Sequence, residues 1–204
     1  LAGFFLLFDD LDSGNELDPN PDALRLPSGV PDGKRVRNRF DIPLIFTDRR
    51  FNQAGELLFD TMNMDGILGD KWLVNGLVQP YFEVERRKYR FRLLDGGPSR
   101  FYSLWLSNGM PFQHIANDGN MLPAPITAQS VQLGVAERAD IVVDFSQLPA
   151  STTETYLVNR AEQINGRGPT GNTLPMAQSP KMLKFVIRPG VVQDNSRVPS
   201  LLRP

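Results

Sequence analysis

The chain has 204 residues with 22 basic and 23 acidic side chains, so it can bury a real core but projects no general field toward nucleic acid or an anionic membrane. No run approaches the roughly 20 apolar residues of a membrane span, and the opening LAGFFLLF lacks the basic start of a signal peptide. Zero Cys removes disulfides, thiol nucleophiles and thiolate metal sites, and a single His, His114, falls far short of the ligands a zinc or copper site takes.

Taken in chain order, residues 2–8 read as a first strand, and an apolar strand at the very start, without an initiator Met, suggests a piece of a longer chain. Residues 9–41 are polar and dense in Pro, Asp and Asn, the composition of a surface connection outside the core. Short runs rich in Val, Ile, Leu, Phe and Tyr follow at 42–48, 72–74, 81–85, 89–94 and 101–107. Further runs fall at 112–116, 130–133, 140–145, 155–159 and 182–188. Turn signals separate them at Asn75-Gly76, Asp95-Gly96-Gly97, Asn108-Gly109 and Asp118-Gly119. No window sustains an apolar 3.6 period, so only short helical turns are expected. Residues 161–181 read as a long loop, and the final SRVPSLLRP as a linker. Many short strands at roughly 8–12-residue spacing predict an all-β antiparallel sandwich or barrel.

The stretch KYRFRLLDGGPSR (residues 88–100) interleaves bases with aromatics. Lys88, Arg90 and Arg92 alternate with Tyr89, Phe91 and Leu93, the period of two of a half-buried strand. The bases are expected over solvent, with Glu83 and Glu85 near enough to neutralise them. A nucleic-acid platform would put aromatics and bases on one face, and these point opposite ways. Arg100, just past the turn, reads as a clamp on a loop, with carboxylate binding as the other use of its five donors. SGVPDGK has Gly29 and Gly33 too close for a phosphate loop, with Arg35 where the hydroxyl residue belongs. TMNMDGILGDKW puts Asn63, Asp65 and Gly66 at calcium-loop spacing, but Thr61 and Trp72 occupy the first and twelfth ligand positions. Asp118 with Asp95 or Asp65 is a candidate carboxylate pair of the glycosidase kind, although Asp before Gly is more often a turn residue. His114, strand-like in PFQHIAND, reads as structural.

From DIPLIFTDRRFNQAGEL (residues 41–57) onward the sequence resembles the middle cupredoxin-like domain of three-domain multicopper oxidases, the group of bacterial and spore-coat laccases, bilirubin oxidase and phenoxazinone synthase. GDKWLVNGLVQPYFEVERRKYRFRLLDGGPSRFYSLWLSNG, HIANDGNMLPAP and VQLGVAERADIVVDF continue the resemblance in register. LAGFFLLFDD is similar to the strand that closes the preceding domain, so the likeness runs over nearly all of residues 1–190. It implies an antiparallel Greek-key β-sandwich of cupredoxin type. It also implies a division into residues 1–10 as that closing strand, 11–41 as interdomain connection, 42–190 as the copper-free middle domain, and 191–204 as linker toward a third domain.

The resemblance further implies copper in the parent protein, at a mononuclear and a trinuclear site, with small aromatic substrates oxidised one electron at a time and dioxygen reduced to water. The chain itself has no His-x-His and no Cys, and so supplies no copper ligand set. Its partners would be the flanking cupredoxin domains of the same polypeptide, with self-association of the isolated piece through the surface those domains cover. By family analogy Ser99, Arg100 and Gly166 are candidates for a wall of the substrate cavity, with solvent or another domain as the alternative neighbour. The resemblance points to a periplasmic, secreted or spore-coat setting. Two other readings of the residues stay open: a free-standing β-sandwich that binds carbohydrate or protein, and a carboxylate-based hydrolase on the same fold.

Overall fold

Strand β6 (Lys88–Asp95) shows how composition becomes architecture. Tyr89, Phe91 and Leu93 are buried on one face, where the rings of Tyr89 and Phe91 join those of Phe145 and Phe185 with centroids 5.1–6.3 Å apart. Burying such side chains contributes about 1.5–3 kcal/mol each, and edge-on aromatic pairs add to that. The computed structural model describes residues 3–29 and 39–203. The other strands are β1 (Asp41–Phe51), β2 (Leu57–Leu58), β3 (Lys71–Val74), β4 (Leu77–Val78), β5 (Tyr81–Val84), β7 (Tyr102–Leu106) and β8 (Phe112–Asn117). They continue with β9 (Asn120–Ala128), β10 (Ser130–Leu133), β11 (Arg138–Asp144), β12 (Glu154–Asn159) and β13 (Lys181–Ile187). Helical structure among the described residues is limited to 3-10 turns at Phe145–Gln147 and Met176–Gln178.

Two sheets face each other across this core. One runs β4-β3-β1-β6-β11-β8-β9 with β2 hung on β1, and the other runs β10-β7-β12-β13-β5. The all-β sandwich is as expected, and most neighbours are antiparallel. Two pairs are parallel, however: β1 with β6 and β13 with β5. An edge strand of nine residues, β9, was missed because Pro123 and Pro125 argue against a strand. Pro is tolerated at a sheet edge, where its missing N–H faces away from the ladder.

The outer face of the larger sheet departs most from expectation. Arg90 is 2% exposed rather than solvated. Its Nη1 donates to Asp12 Oδ2 at 2.7 Å, and its Nε and Nη2 donate to Asp140 Oδ2 at 3.0 and 2.6 Å. Arg92 forks onto Asp41 at 2.7 and 2.8 Å. Neither uses Glu83 or Glu85, which pair instead with Arg188 and Arg39. What covers this face is the segment expected to be a surface connection. Leu24 and Leu26 from it pack with Ile115, Val142 and Leu202 into a second apolar cluster. Buried Glu16 accepts the Ser28 and Gly29 amides at 2.9 and 3.0 Å and ion-pairs with Arg87 at 2.5 Å. The C-terminal stretch is likewise docked rather than free. Leu202 is buried, its amide reaches Pro123 O at 2.9 Å, and Arg197 Nη2 donates to Ala23 O at 2.6 Å. Residues 3–8 pair with no strand, and Leu1 and Ala2 lie outside the described residues, as do Gly33 and Arg35 of the dismissed phosphate loop.

Two predictions follow from this third layer. Arg90→Leu leaves three carboxylates around an apolar side chain, and removing one partner of a buried ion group costs about 3–5 kcal/mol. Urea denaturation should show that loss, and limited proteolysis should cut residues 9–29 faster. Asp194 anchors the C-terminal stretch. Burial opposes its ionisation, but Lys88 and Ser196 donate to it and hold it down to about 2. Its contribution is full above the ordinary carboxylate value and is lost as pH falls toward 2. Asp194→Asn should therefore flatten the acid limb of a thermal-stability profile.

Candidate functional site

The 96–100 turn between β6 and β7 is shaped by glycines that pass close to other strands. A β-carbon at Gly96 would stand 2.8 Å from Ile45 Cγ2, and the Gly96 amide donates to Phe46 O at 2.8 Å. The turn delivers Arg100 inward. Its Nε donates to Asp48 Oδ2 at 3.0 Å, its Nη2 donates to Gly69 O at 2.8 Å, and its guanidinium lies 4.4 Å from the Trp72 ring centre. Asp48 Oδ2 also accepts the Gly69 amide at 2.6 Å. At 7% exposure Arg100 is the clamp expected of it, with its Nε and Nη2 donors spent on the protein.

Ser99 and Gly166 come together at a third residue, Gly66. Ser99 Oγ accepts the Ile67 amide at 3.0 Å. A β-carbon on Gly66 would meet Ser99 Oγ at 2.7 Å and Gly166 Cα at 2.9 Å, and one on Gly166 would meet Asp65 O and Gly66 Cα at 2.4 Å. Backbone therefore packs on backbone, which only glycine permits. Gln163 ties the corner, donating to Ser99 O at 2.8 Å and Asn165 O at 2.9 Å while its Oε1 accepts the Phe101 amide at 2.9 Å. Arg167 closes the outside by pairing with Asp65. Exposed Met64 and Ile164 flank the two glycines in sequence and give the corner an apolar rim. Sequence reasoning missed Gly66 and Gln163. Gly66 looked like a calcium-loop glycine, and Gln163 sits more than 60 positions from Ser99 and Phe101, which it ties together.

The corner holds no group placed to do chemistry. Of the three carboxyls weighed as a hydrolytic pair, two are committed to ion pairs and the third is buried. Asp65 pairs with Arg167, and Asp118 sits in a left-handed turn and pairs with Arg138 at 3.2 Å. Asp95 is buried at 1% exposure. His114 Nε2 lies 2.7 Å from Asn117 Oδ1 and 3.1 Å from Ala116 O. Among the described residues no three His, Cys, Asp or Glu side chains gather where they could hold a metal ion. With one His and no Cys, the donor set does not fit a blue-copper or trinuclear centre.

No protein-family model matches the chain. It is 38% identical over 195 residues to a multicopper oxidase of Oryza sativa, covering 90% of this chain and 31% of the relative. It is 34% identical over 197 residues to a laccase of Bacillus subtilis, covering 91% and 35%. With the bilirubin oxidase of Albifimbria verrucaria it shares 35% over 193 residues, covering 91% and 32%. The crystal structure of the McoA multicopper oxidase of Aquifex aeolicus superposes with a TM-score of 0.69 at 31% identity, over 81% of this chain and 35% of that one. A multi-copper oxidase of Pediococcus acidilactici gives 0.66 at 29% identity, over 89% and 33%. Two packed β-sheets with these neighbours define a cupredoxin-like domain. Over about nine-tenths of its length the chain is homologous to part of multicopper oxidases, and it spans about a third of the length of the curated relatives it matches.

Gly166→Ala should drive the 161–181 loop off Gly66. We expect a stability loss of about 1–3 kcal/mol, the usual cost of an overpacked contact, and faster amide exchange at Ile67. Retained exchange protection at Ile67 would contradict the contact.

Proposed function

We propose that the chain is the middle, copper-free cupredoxin-like domain of a three-domain multicopper oxidase. In this reading residues 1–10 close the preceding domain, 11–41 connect, 42–190 are the domain, and 191–204 lead to the third. The parent couples one-electron oxidation of phenolic or similar aromatic substrates to reduction of dioxygen to water. Copper in the flanking domains supplies that electron transfer. The observation that carries the reading is a match over nine-tenths of this chain to about a third of oxidases that include a laccase and a bilirubin oxidase. The count of nitrogen and sulfur donors supports the division of labour.

The domain then works as a rigid spacer. Its sandwich holds the neighbouring domains at a fixed separation, and its exposed apolar side chains, among them Met62 at 84% and Met64 at 93%, are surface for those neighbours to cover. The corner of Ser99, Gly66 and Gly166, with its apolar rim, is placed by this reading as part of the wall of the substrate cavity. Arg100 supports the wall from within.

The test is to express the chain alone and within its longer reading frame. Alone, with added copper, it should show no blue absorbance. The longer protein should be blue and should consume dioxygen with a phenolic substrate. A stoichiometric blue centre in the chain alone, or no copper-ligand motif on either side of it, would defeat the reading.

A further inference from the structure

Beneath the 96–100 turn three buried oxygen atoms find no hydrogen-bond partner among the described residues: Asp48 Oδ1, Asp95 Oδ2 and the Tyr102 hydroxyl. None of the three residues is more than 2% exposed. The two carboxyls face one glycine, since a β-carbon on Gly97 would stand 3.2 Å from Asp95 Oδ1 and 3.4 Å from Asp48 Oδ1. Their remaining oxygens are engaged. Asp48 Oδ2 accepts Arg100 Nε and the Gly69 amide, and Asp95 Oδ1 accepts the Gly97 amide at 2.9 Å.

The charges around Asp95 do not balance. Asp48 faces it from β1, Glu137 from the approach to β11, Arg100 from the turn, and the Tyr102 hydroxyl from β7, with Arg49 of β1 further acting on Tyr102. Arg100 is the guanidinium in contact, and it is bonded to Asp48. Among the described residues a second carboxylate in this interior would have no cation of its own. Buried charges of that kind are neutralised rather than tolerated.

We propose that Asp48, Asp95 and Tyr102 form one proton-holding site in which Asp95 is a neutral carboxylic acid and a single internal water joins the three unpartnered oxygens. As an acid, Asp95 donates, and so does Tyr102, while Asp48 Oδ1 accepts, so one water can satisfy all three. The electrostatics agree. Burial raises the Asp95 carboxyl to about 7, the Gly97 amide opposes this, and repulsion from Asp48 and Glu137 adds to it.

The site acts as a latch on the turn above it. With Asp95 protonated, Asp48 is free to hold Arg100. Loss of the proton sets two carboxylates against one guanidinium and loosens the turn that carries Ser99. Because the folded value is raised above the unfolded one, stability from this site is full below the ordinary carboxylate value and is lost as pH rises toward about 7. The proposal stands independently of the oxidase reading.

Infrared difference spectroscopy on the full chain tests it. At pH 6 ordinary Asp and Glu side chains, with values of about 4, are ionised. The wild type should nevertheless keep a protonated-carboxyl band that disappears around pH 7. Asp95→Asn should abolish the band, and Tyr102→Phe should shift its frequency. No band in the wild type at pH 6, or a band that survives Asp95→Asn, overturns the proton assignment. An unshifted band in Tyr102→Phe overturns the shared water. If Asp95→Asn does not fold, the wild-type titration and Tyr102→Phe still decide.

Discussion

The N-terminal segment laid over the larger sheet depends on a guanidinium buried from solvent. Arg90 sits in the middle of the larger sheet, and its charge is met by Asp12 from the N-terminal segment and Asp140 from β11, with Asp41 of β1 3.9 Å away. A lone cation at that depth would cost several kcal/mol, so the segment bearing Asp12 cannot leave without a penalty. Arg87 and Lys88 extend the same logic along the start of β6, drawing in Glu16 and Asp194. Buried ion pairs of this kind need not outperform an apolar core in stability. What they supply in this fold is register, because one placement of the segment satisfies Arg90 and Arg87 together.

The alternation in residues 88–95 revealed the strand and its inner face correctly. It could not reveal what lies on the outer face. A period of two separates sides, but a basic side can look at water or at acids contributed from elsewhere in the chain, and both leave the same local pattern. The acids that meet Arg90 and Arg92 are roughly 50 to 80 positions away. The polar composition of residues 9–29 misled for the same reason, since Asp12 and Glu16 are polar because they answer buried bases. Arg100 was legible as a clamp from its place just past a glycine turn, although its partners Asp48 and Gly69 lie 52 and 31 positions away. Gly66 and Gly166 were each visible as glycines, but their meeting is a tertiary fact.

The single His and the lack of Cys are a matter of residue inventory, whereas the likeness to multicopper oxidases is a matter of shape and colinear identity. The two are compatible because a fold does not carry chemistry by itself. The interior is filled by aromatic and aliphatic side chains, and the polar groups it retains hold turns and terminal segments. Asp48, Arg100 and Asp95 illustrate this: they stiffen the corner that presents Ser99 and contribute nothing that reacts.

The contact of Gly66 with Gly166 joins two excursions separated by a hundred positions, and neither residue has room for a side chain. Homologous loops grafted one at a time would therefore meet a partner of the wrong shape. In a chimera, residues 60–70 and 161–181 have to travel as a pair.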